Sequence, residues 1–346
     1  MTAGKIIHPG KEWQTALEKL KEKGLYDIYF GEAYVTLNTA ENGKAEAYTY
    51  TTPENIFFLP YIKRPVPGAD EFYDLETAYG YGGALSTTKA PAFLNAAWKD
   101  FIEYAQRAGI IAGLLRCHPI LQTQDFLIPP YTDVKPVSKT VAVNLDRTLG
   151  EVESEFKKDH RRLMRKSLET GQCVVSEEEG LQPWEEFTSL YTRRMETIGA
   201  SDYYFFNSQY FKSLKNLSRL ITVRLDGKMI AGASVLTSPE IWHYHLSASD
   251  EEAFARAPNN LMLDHIIRAA HNEKAKWLHL GGGRTPAPDD SLLLFKRSFS
   301  QTLLDLYIGS CIINREAYDE ICKNWEKENP ENAGRYGSYT LKYRYK

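Results

Sequence analysis

The chain has 346 residues, of which 43% are hydrophobic and 25% are charged, and its formal net charge at pH 7 is -3. These values are typical of a soluble globular protein that is long enough for two domains. They exclude a global attraction to nucleic acid or to an anionic membrane, so a polyanion would have to bind at a local basic patch.

Targeting and redox signals are weak in this sequence. No apolar stretch has the length of a signal peptide or of a membrane span, which needs roughly 20 apolar residues. We therefore expect a cytoplasmic protein with no stable membrane insertion and no DNA partner. The four cysteines are scattered and are predicted to be buried, reduced thiols. His243 and His245 lie two residues apart, but the pattern offers no third ligand, so no metal is predicted.

The first half of the chain is predicted to mix strands with two helices. A helix ends near Gly24, and a strongly amphipathic helix over 93–105 ends at Gly109. Strand-like alternation is found at 26–30, 33–38, 45–51, 55–60, 110–116 and 140–146. Asn42 and Gly43 are predicted to form a hairpin turn between the second and third of these strands. The proline-rich residues 119–136 are predicted to form a long surface loop.

The second half begins with the most basic segment of the chain. Residues 156–171 are predicted to form a helix whose apolar face is flanked by cations: Lys157, Lys158, Arg161, Arg162, Arg165 and Lys166. Such a face can simply keep a helix in solvent, or it can bind phosphate groups. A strand at 172–176 and a helix ending at Gly199 follow.

A three-stranded meander is predicted next. Its strands are 219–225, 228–238 and 241–248, and Asp226-Gly227 is a two-residue hairpin turn between the first two. A helix opening at Pro258 then leads into an apolar strand at 277–280. After Ser300 we predict a strand, a helix over 318–325 and a final strand near the carboxyl terminus.

The stretch from Trp277 to Ser300 looks most like a functional site. Three glycines follow its strand and allow close approach of a ligand or of another backbone. Asp289 or Asp290 is placed to cap a short helix, in which Lys296 lies beside Phe295. A lysine at the end of such a crevice can hold a phosphate or a developing oxyanion. The alternative is that the glycines only form a turn and that Lys296 is a solvated helix residue.

The two halves repeat one pattern, in which antiparallel strands precede a strong helix that runs into an apolar strand. We therefore predict a mixed α/β fold of two duplicated domains, each with a largely antiparallel sheet flanked by helices. The predicted domains are 1–146, completed by the tail at 310–346, and 147–309.

The order of strand, Asp-Gly hairpin, two strands, helix and strand over 219–280 resembles the core of the Gcn5-related N-acetyltransferases, the GNAT superfamily. In that fold a strand of the central hairpin holds the acyl donor by main-chain hydrogen bonds. The resemblance therefore implies acyl-CoA contacts at Ala233 and Ser234. Asn259 and Asn260 occupy the place of the superfamily's pyrophosphate signature, which the sequence itself lacks.

Four motifs are similar to the FemABX-like branch, in which two GNAT domains are fused. They are AYGYGGAL, LLRCHPIL, RRLMRKSLETG, and WLHLGGG followed by LLLFKRSF. Phe295, Lys296 and Phe299 match that branch's Phe-Lys-x-Gly-Phe element, in which the lysine is thought to stabilise charge at the acyl-transfer centre. Ser298 stands where the family often has glycine, and the long helical arm of the cell-wall aminoacyl-transferring members is not apparent.

The resemblance and the residue chemistry together give a set of candidate site residues. Lys296, Phe295 and Asp290 are the candidate catalytic residues, with Asp289 or His245 as other candidate bases. An arginine on the basic helix, Arg161 or Arg165, matches one that holds a substrate phosphate in the family. The remaining candidate substrate contacts are Tyr79, Tyr81, Arg116, His118, Tyr244 and Arg284.

Three functions remain open on this basis. The first is transfer of an acyl group from acetyl-CoA or another acyl-CoA to the amino group of a sugar or cell-surface glycan precursor. The second is transfer of an aminoacyl group from charged tRNA, which the basic helix favours. The third is binding of a nucleotide or glycan without turnover.

Overall fold

The computed structural model describes residues 3–39, 42–169 and 173–345, with only the backbone for residues 164–169. The chain divides into two compact units. Unit 1 comprises Met1–Val137 and Asp305–Lys346, and unit 2 comprises Ser138–Leu304. The sequence predicts domain boundaries near Asp146 and 310. In the structure the boundaries fall inside the strands Asp133–Asn144 and Leu303–Ile312, each of which begins in one unit and ends in the other.

The elements follow one another in two similar series. The strands are β1 Ala3–Ile7, β2 Lys44–Thr51, β3 Ile56–Val66, β4 Ala69–Glu76, β5 Leu85–Ser86, β6 Ile110–Arg116, β7 Asp133–Asn144, β8 Cys173–Glu178, β9 Ser218–Leu225, β10 Lys228–Thr237, β11 Ile241–Ser249, β12 Trp277–Gly282 and β13 Leu303–Ile312. The helices are α1 Lys11–Lys21, α2 Glu32–Leu37, α3 Pro91–Arg107, α4 Leu149–Ser154, α5 Lys158–Glu169, α6 Leu181–Thr197, α7 Ser208–Leu214, α8 Pro258–Asn272, α9 Ser291–Lys296, α10 Arg315–Glu328 and α11 Pro330–Tyr336.

The two units have the same strand topology. In unit 1 the order is β1-β2-β3-β4-β6-β13, with β5 added to β3, and all of these pairs are antiparallel except β4 with β6. In unit 2 the order is β8-β9-β10-β11-β12-β7, and here only β11 with β12 is parallel. In each unit one helix, α3 or α8, connects the two parallel strands, as a parallel connection requires. The predicted fold class, a duplicated mixed α/β domain with largely antiparallel sheets, is confirmed.

The cores explain why these elements form. In unit 1 the apolar face of α3, with Trp98 and Phe101, packs on the strands, and in unit 2 Ile266 and Ile267 of α8 do the same. The Asp226-Gly227 turn has positive φ at both residues, 50° and 82°, as a two-residue hairpin of type I′ requires.

None of the helices in the described residues is long and apolar enough to cross a membrane.

Two predicted strands near the amino terminus are helical. Residues 28–30 form a 3-10 turn, in which the carboxylate of Asp27 accepts a hydrogen bond from the backbone N–H of Tyr29. Residues 32–37 form α2, where Tyr34 and Val35 are buried. Asn42-Gly43 therefore does not connect two strands. Aromatic and β-branched residues produced the strand pattern, but tertiary packing decided the structure.

The predicted loop at 119–136 and the final strand also differ from the structure. Residues 123–126 form a 3-10 turn with Thr123 and Phe126 buried, and the Thr123 hydroxyl donates to the carbonyl oxygen of Gly82 over 2.6 Å. β7 already begins at Asp133. Near the carboxyl terminus, residues 342–344 form a 3-10 turn instead of a strand, and the Trp325 indole donates to the carbonyl oxygen of Tyr345.

Candidate active site

The parallel strands β11 and β12 are paired only at their amino-terminal ends. Ile241 pairs with Trp277, and the pairing ends where His243 meets His279. In the described residues the two strands share no pairing beyond that point, although β11 continues to Ser249. Where two parallel strands stop pairing in this way, an extended ligand can add to the edge of one of them.

A β-bulge in β11 lies at the start of this opening. Leu246 pairs with Ser234 and Tyr244 pairs with Val235, so His245 is the extra residue. Burial, together with the neighbouring His243, lowers the pKa of His245 to about 3. Its Nε2 lies 3.3 Å from the Tyr210 hydroxyl. Because His245 is neutral and has such a low pKa, it is a weak base at neutral pH.

Lys296 reaches the end of β12 from the last turn of α9. Its side chain is buried, with 8% of the residue exposed, and its Nζ donates to the carbonyl oxygen of Gly282 over 2.7 Å. Burial lowers the pKa of Lys296 to about 8, partly opposed by the negative charge of Asp290. A buried ammonium of this kind is held ready to stabilise a negative charge that develops beside it.

The glycine segment is shaped by Asp290, the N-cap of α9. The Asp290 carboxylate accepts from the backbone N–H groups of Leu292 and Leu293 at 3.0 Å, and from that of Thr285 at 3.1 Å. A Cβ on Gly283 would lie 2.5 Å from the Asp290 carboxylate oxygen, so this approach requires glycine. Burial raises the pKa of Asp290, but these hydrogen bonds outweigh it and lower the pKa overall. The geometry therefore makes Asp290 a helix cap and a weak base.

His160 is a half-buried residue whose polar contacts the sequence does not predict. Its Nδ1 lies 3.0 Å from Ser298 Oγ and also contacts the side-chain amide of Asn260. The ring packs against Phe295 and Phe299, with centroids 5.8 and 5.5 Å away. Burial and Lys157 lower the pKa of His160. The sequence around His160 does not predict these contacts, because Asn260 and Ser298 lie about 100 residues or more away along the chain.

The basic segment forms α5 as predicted. Lys157, Lys158, Arg161 and Arg162 are exposed, and the exposed Asp159 carries the opposite charge among them. Arg162 lies 3.7 Å from Asp159, and both side chains are largely exposed. The side chain of Arg165 lies outside the described residues. The start of α5 is tied to α9 by the backbone, because the N–H of Lys157 donates to the carbonyl oxygen of Ser298 at 2.9 Å.

The predicted acyl-donor contacts on β10 require correction. Ala233 and Ser234 are buried, and the main chain around them pairs with β9 on one side and β11 on the other. The Ser234 hydroxyl is directed to Ser218 at 3.1 Å. Because both edges of β10 are occupied, its main chain has no free edge for a donor, and the open edge belongs to β11.

The predicted contacts at the start of α8 lie beside the opening. The Asn259 amide donates to the hydroxyl of Ser249 at 3.0 Å, at the end of β11, while Asn260 contacts His160. Tyr244 lies on β11, where burial raises its pKa to about 12. Arg284 is exposed just after the glycines. These residues, together with Lys296 and Phe295, belong to unit 2.

The other predicted substrate residues belong to unit 1 and are well anchored there. The carbonyl oxygen of Tyr79 accepts from the Tyr34 hydroxyl at 2.8 Å, and the Tyr81 ring packs near His118 at 6.2 Å. His118 is fully buried. Its Nδ1 accepts from the N–H of Leu121 at 3.1 Å, and its Nε2 lies 3.6 Å from the Asp27 carboxylate.

Arg116 forms part of a charged network at the end of β6. It lies 2.5 Å from Glu76, which in turn lies 2.6 Å from Arg64. Arg64 and Arg344 both contact Asp74, at 3.2 and 2.6 Å. The predicted substrate role of Arg116 therefore competes with an ion pair within unit 1.

The chain is similar to known proteins with an acetyltransferase fold. The family model of the acetyltransferase (GNAT) domain matches residues 154–288. Among solved structures, FemX has a TM-score of 0.74 at 14% identity, covering 92% of this chain and 99% of its own. The C-terminal DUF2156 domain of a proposed lysylphosphatidylglycerol synthetase from Agrobacterium fabrum has a TM-score of 0.56 at 12% identity, covering 86% and 92%.

A tandem GNAT protein from the clavulanic acid biosynthesis pathway is also similar, with a TM-score of 0.50 at 9% identity, covering 89% of this chain and 98% of its own. A search of curated proteins found no match. The strand order and these likenesses define a tandem GNAT fold. More particularly, the chain has the FemABX-like GNAT fold, as the four sequence motifs predicted.

Proposed function

We propose that this protein transfers an acyl group from an activated ester or thioester to an amine, with Lys296 stabilising the charge that develops. The observation that carries the proposal is the buried Lys296 ammonium, held by Gly282 at the end of the strand that diverges from β11. The GNAT-type acyltransferase fold supports the same reaction class.

The chemistry needs no covalent enzyme intermediate. The nitrogen of a neutral amine attacks the acyl carbonyl, and the tetrahedral intermediate carries a negative oxygen that the Lys296 ammonium stabilises. Collapse of this intermediate forms the amide and breaks the ester or thioester bond. The proton lost from the amine ends on the departing alcohol or thiol. At pH 7 Lys296 is roughly nine-tenths protonated with a pKa of about 8, so the charged form is available.

The donor that the structure favours is an aminoacyl-tRNA. Four exposed cations at 157–162 form a local basic patch on a chain that is otherwise slightly acidic. The start of this helix is joined to Ser298, two residues from Lys296. A fold neighbour named as a lysylphosphatidylglycerol synthetase agrees with transfer of an aminoacyl group.

The second candidate donor is an acyl-CoA. The opening between β11 and β12 favours it, because an extended arm can add to the open edge of β11. At the start of α8, however, Pro258 removes one backbone N–H that would otherwise face a pyrophosphate. The proposed acceptor for either donor is the amino group of a sugar or cell-surface glycan precursor, and the proposed location is the cytoplasm.

The test compares the two donors on one protein preparation. Saturable binding of aminoacyl-tRNA that weakens steeply with salt would support the first donor, and binding of acetyl-CoA at micromolar concentration would support the second. Arg161→Gln should reduce tRNA affinity and lower the salt slope by about one, while acetyl-CoA binding is unchanged. Lys212→Gln, at an exposed position of α7, is the matched control.

Turnover is then measured with a panel of amino sugars and Lys296→Met. Loss of transfer in this variant, with donor binding retained, supports the proposed function. Donor binding without transfer to any acceptor by the native protein would instead favour a binding protein without turnover.

A further inference from the structure

The polar contact between α5 and the end of α9 runs through the side chains of His160 and Ser298. The Ser298 hydroxyl donates to the carbonyl oxygen of Phe295, the residue directly before Lys296. The Asn260 amide nitrogen, which can only donate, contacts His160 Nδ1, so Nδ1 is the unprotonated acceptor of the ring. Ser298 Oγ lies 3.0 Å from this Nδ1, and its hydroxyl is shared between Nδ1 and the carbonyl oxygen of Phe295. The result is a chain of hydrogen bonds from His160 through Ser298 to the backbone that carries Lys296.

Apolar contacts fix the His160 ring in the same place. Phe295 and Phe299 flank the imidazole, and the two phenylalanine rings meet each other with centroids 5.6 Å apart. Phe299 is fully buried, so the ring cluster is part of the core of unit 2. Asn260 adds a polar contact from the first turn of α8. His160 therefore joins α5, α8 and α9 at one point.

The serine at 298 makes this connection possible. The φ angle of Ser298 is not positive, so its backbone conformation does not require glycine. A glycine, which the resembling family often has there, would remove the hydroxyl and break the chain of hydrogen bonds. The main-chain bond from Lys157 to Ser298 would remain, because it does not depend on either side chain.

We propose that His160 is a positioning residue for Lys296: through Ser298 it holds the last turn of α9, so that the lysine stays buried against Gly282. This inference rests on the proposed function for its catalytic meaning. The position of Lys296 can be tested whether or not the proposed reaction takes place. Lys296 touches the reacting atoms in the proposed reaction, whereas His160 acts through the backbone of its neighbour.

The experiment follows the titration of Lys296 directly, without any substrate. The pH dependence of its labelling by an amine-reactive reagent, read by mass spectrometry on the full chain, gives its pKa. In His160→Ala the last turn of α9 loosens, so we expect the Lys296 ammonium to become solvated. The pKa of Lys296 should rise by about one unit or more, towards that of an exposed lysine. The pH at which labelling reaches half of its maximal rate should rise by the same amount.

Three variants separate positioning from a loss of packing. His160→Asn places an amide near the position of Nδ1 and should restore the native Lys296 titration at least in part. Ser298→Ala leaves the imidazole in place but breaks the hydrogen bonds, and should reproduce the effect of His160→Ala. His271→Ala is the matched control, because this histidine contacts the carbonyl oxygen of Arg147 at the far end of α8. It should leave Lys296 unchanged.

The outcome is decided separately from the proposed function. An unchanged Lys296 titration in both His160→Ala and Ser298→Ala would overturn the inference, whether or not transfer activity is found. If transfer is found, the positioning role predicts that His160→Ala lowers kcat about tenfold with little change in KM for the donor. A fall confined to KM would contradict it. If His160→Ala fails to fold, the Lys296 titration in Ser298→Ala, a smaller change, decides between the same two outcomes.

Discussion

The Nζ of Lys296 donates to the carbonyl oxygen of Gly282 over 2.7 Å, within a site where the lysine is almost fully buried. A single neutral acceptor compensates only part of the desolvation of an ammonium, which is why the pKa of Lys296 is lowered to about 8. The protein holds a charge here at a cost in stability, as is common at functional sites.

Lys296→Met should therefore stabilise the fold while removing activity. A pKa lowered from 10.5 to about 8 corresponds to at most about 3 kcal/mol at pH 7, and loss of the bond to Gly282 offsets part of it. We expect the free energy of unfolding in urea to rise by about 1–2 kcal/mol. Lys212→Met, at an exposed lysine of α7, should change it by less than about 0.5 kcal/mol.

The pH dependence of this difference has a definite sign. Between about pH 8 and 10.5 the unfolded chain binds more protons at Lys296 than the native one, so native stability gains with rising pH. The advantage of Lys296→Met should be complete below pH 8 and disappear towards pH 10.5. A constant advantage across this range would show that the lysine is not buried as a charged group.

The proposed reaction has its own pH signature. If the Lys296 ammonium stabilises the oxyanion, kcat/KM should fall above about pH 8, by about tenfold per unit at its steepest. Below that pH the acceptor amine must lose its proton, so the profile should be bell-shaped. Lys296→Arg keeps the charge at all these values and should remove the descending limb if it retains activity. A descending limb that persists in Lys296→Arg would assign it to another group.

The fold was predictable because its signals are local. The Asp226-Gly227 turn, the apolar face of α8 and the cap at Asp290 each follow from residues close together in sequence. The strand prediction at 33–38 was wrong because Tyr34 and Val35 have strand propensity, and only their burial in unit 1 makes the helix favourable.

The candidate site was predictable only in part. Lys296 and Phe295 could be proposed as site residues because a family motif covers them. His160 could not, since its contacts depend on Asn260 and Ser298, which join it from distant parts of the chain. The acyl-donor contacts were predicted at Ala233 and Ser234 of β10, because the sequence shows which residues form strands but not which strand edge is left without a partner strand.

Asp290→Asn tests whether this residue is a cap or a base. Asparagine caps a helix about as well as aspartate, so we expect a stability loss below about 1 kcal/mol and transfer activity within about threefold of native. Asp290→Ala should cost about 1–2 kcal/mol, because three backbone N–H groups lose their acceptor. Glu185→Ala, at an exposed position of α6, is the control. A loss of transfer beyond about 100-fold in Asp290→Asn, with the fold intact, would restore its role as the base.

Glu76→Gln tests the charged network of unit 1. Burial opposes ionisation of Glu76, but Arg116, Arg64 and Arg344 outweigh it and lower its pKa. Removing this carboxylate charge takes one ion pair away from Arg64 and one from Arg116, so we expect the free energy of unfolding to fall by about 3 kcal/mol at pH 7. Glu71→Gln, at an exposed position on the same strand, should have little effect. Because the native-state pKa of Glu76 is depressed, its contribution is complete above the pKa of the unfolded chain and is lost as the pH falls through the native value. The gap between native protein and Glu76→Gln should therefore narrow in acid, and a gap of constant size down to about pH 2 would contradict the ion-pair account.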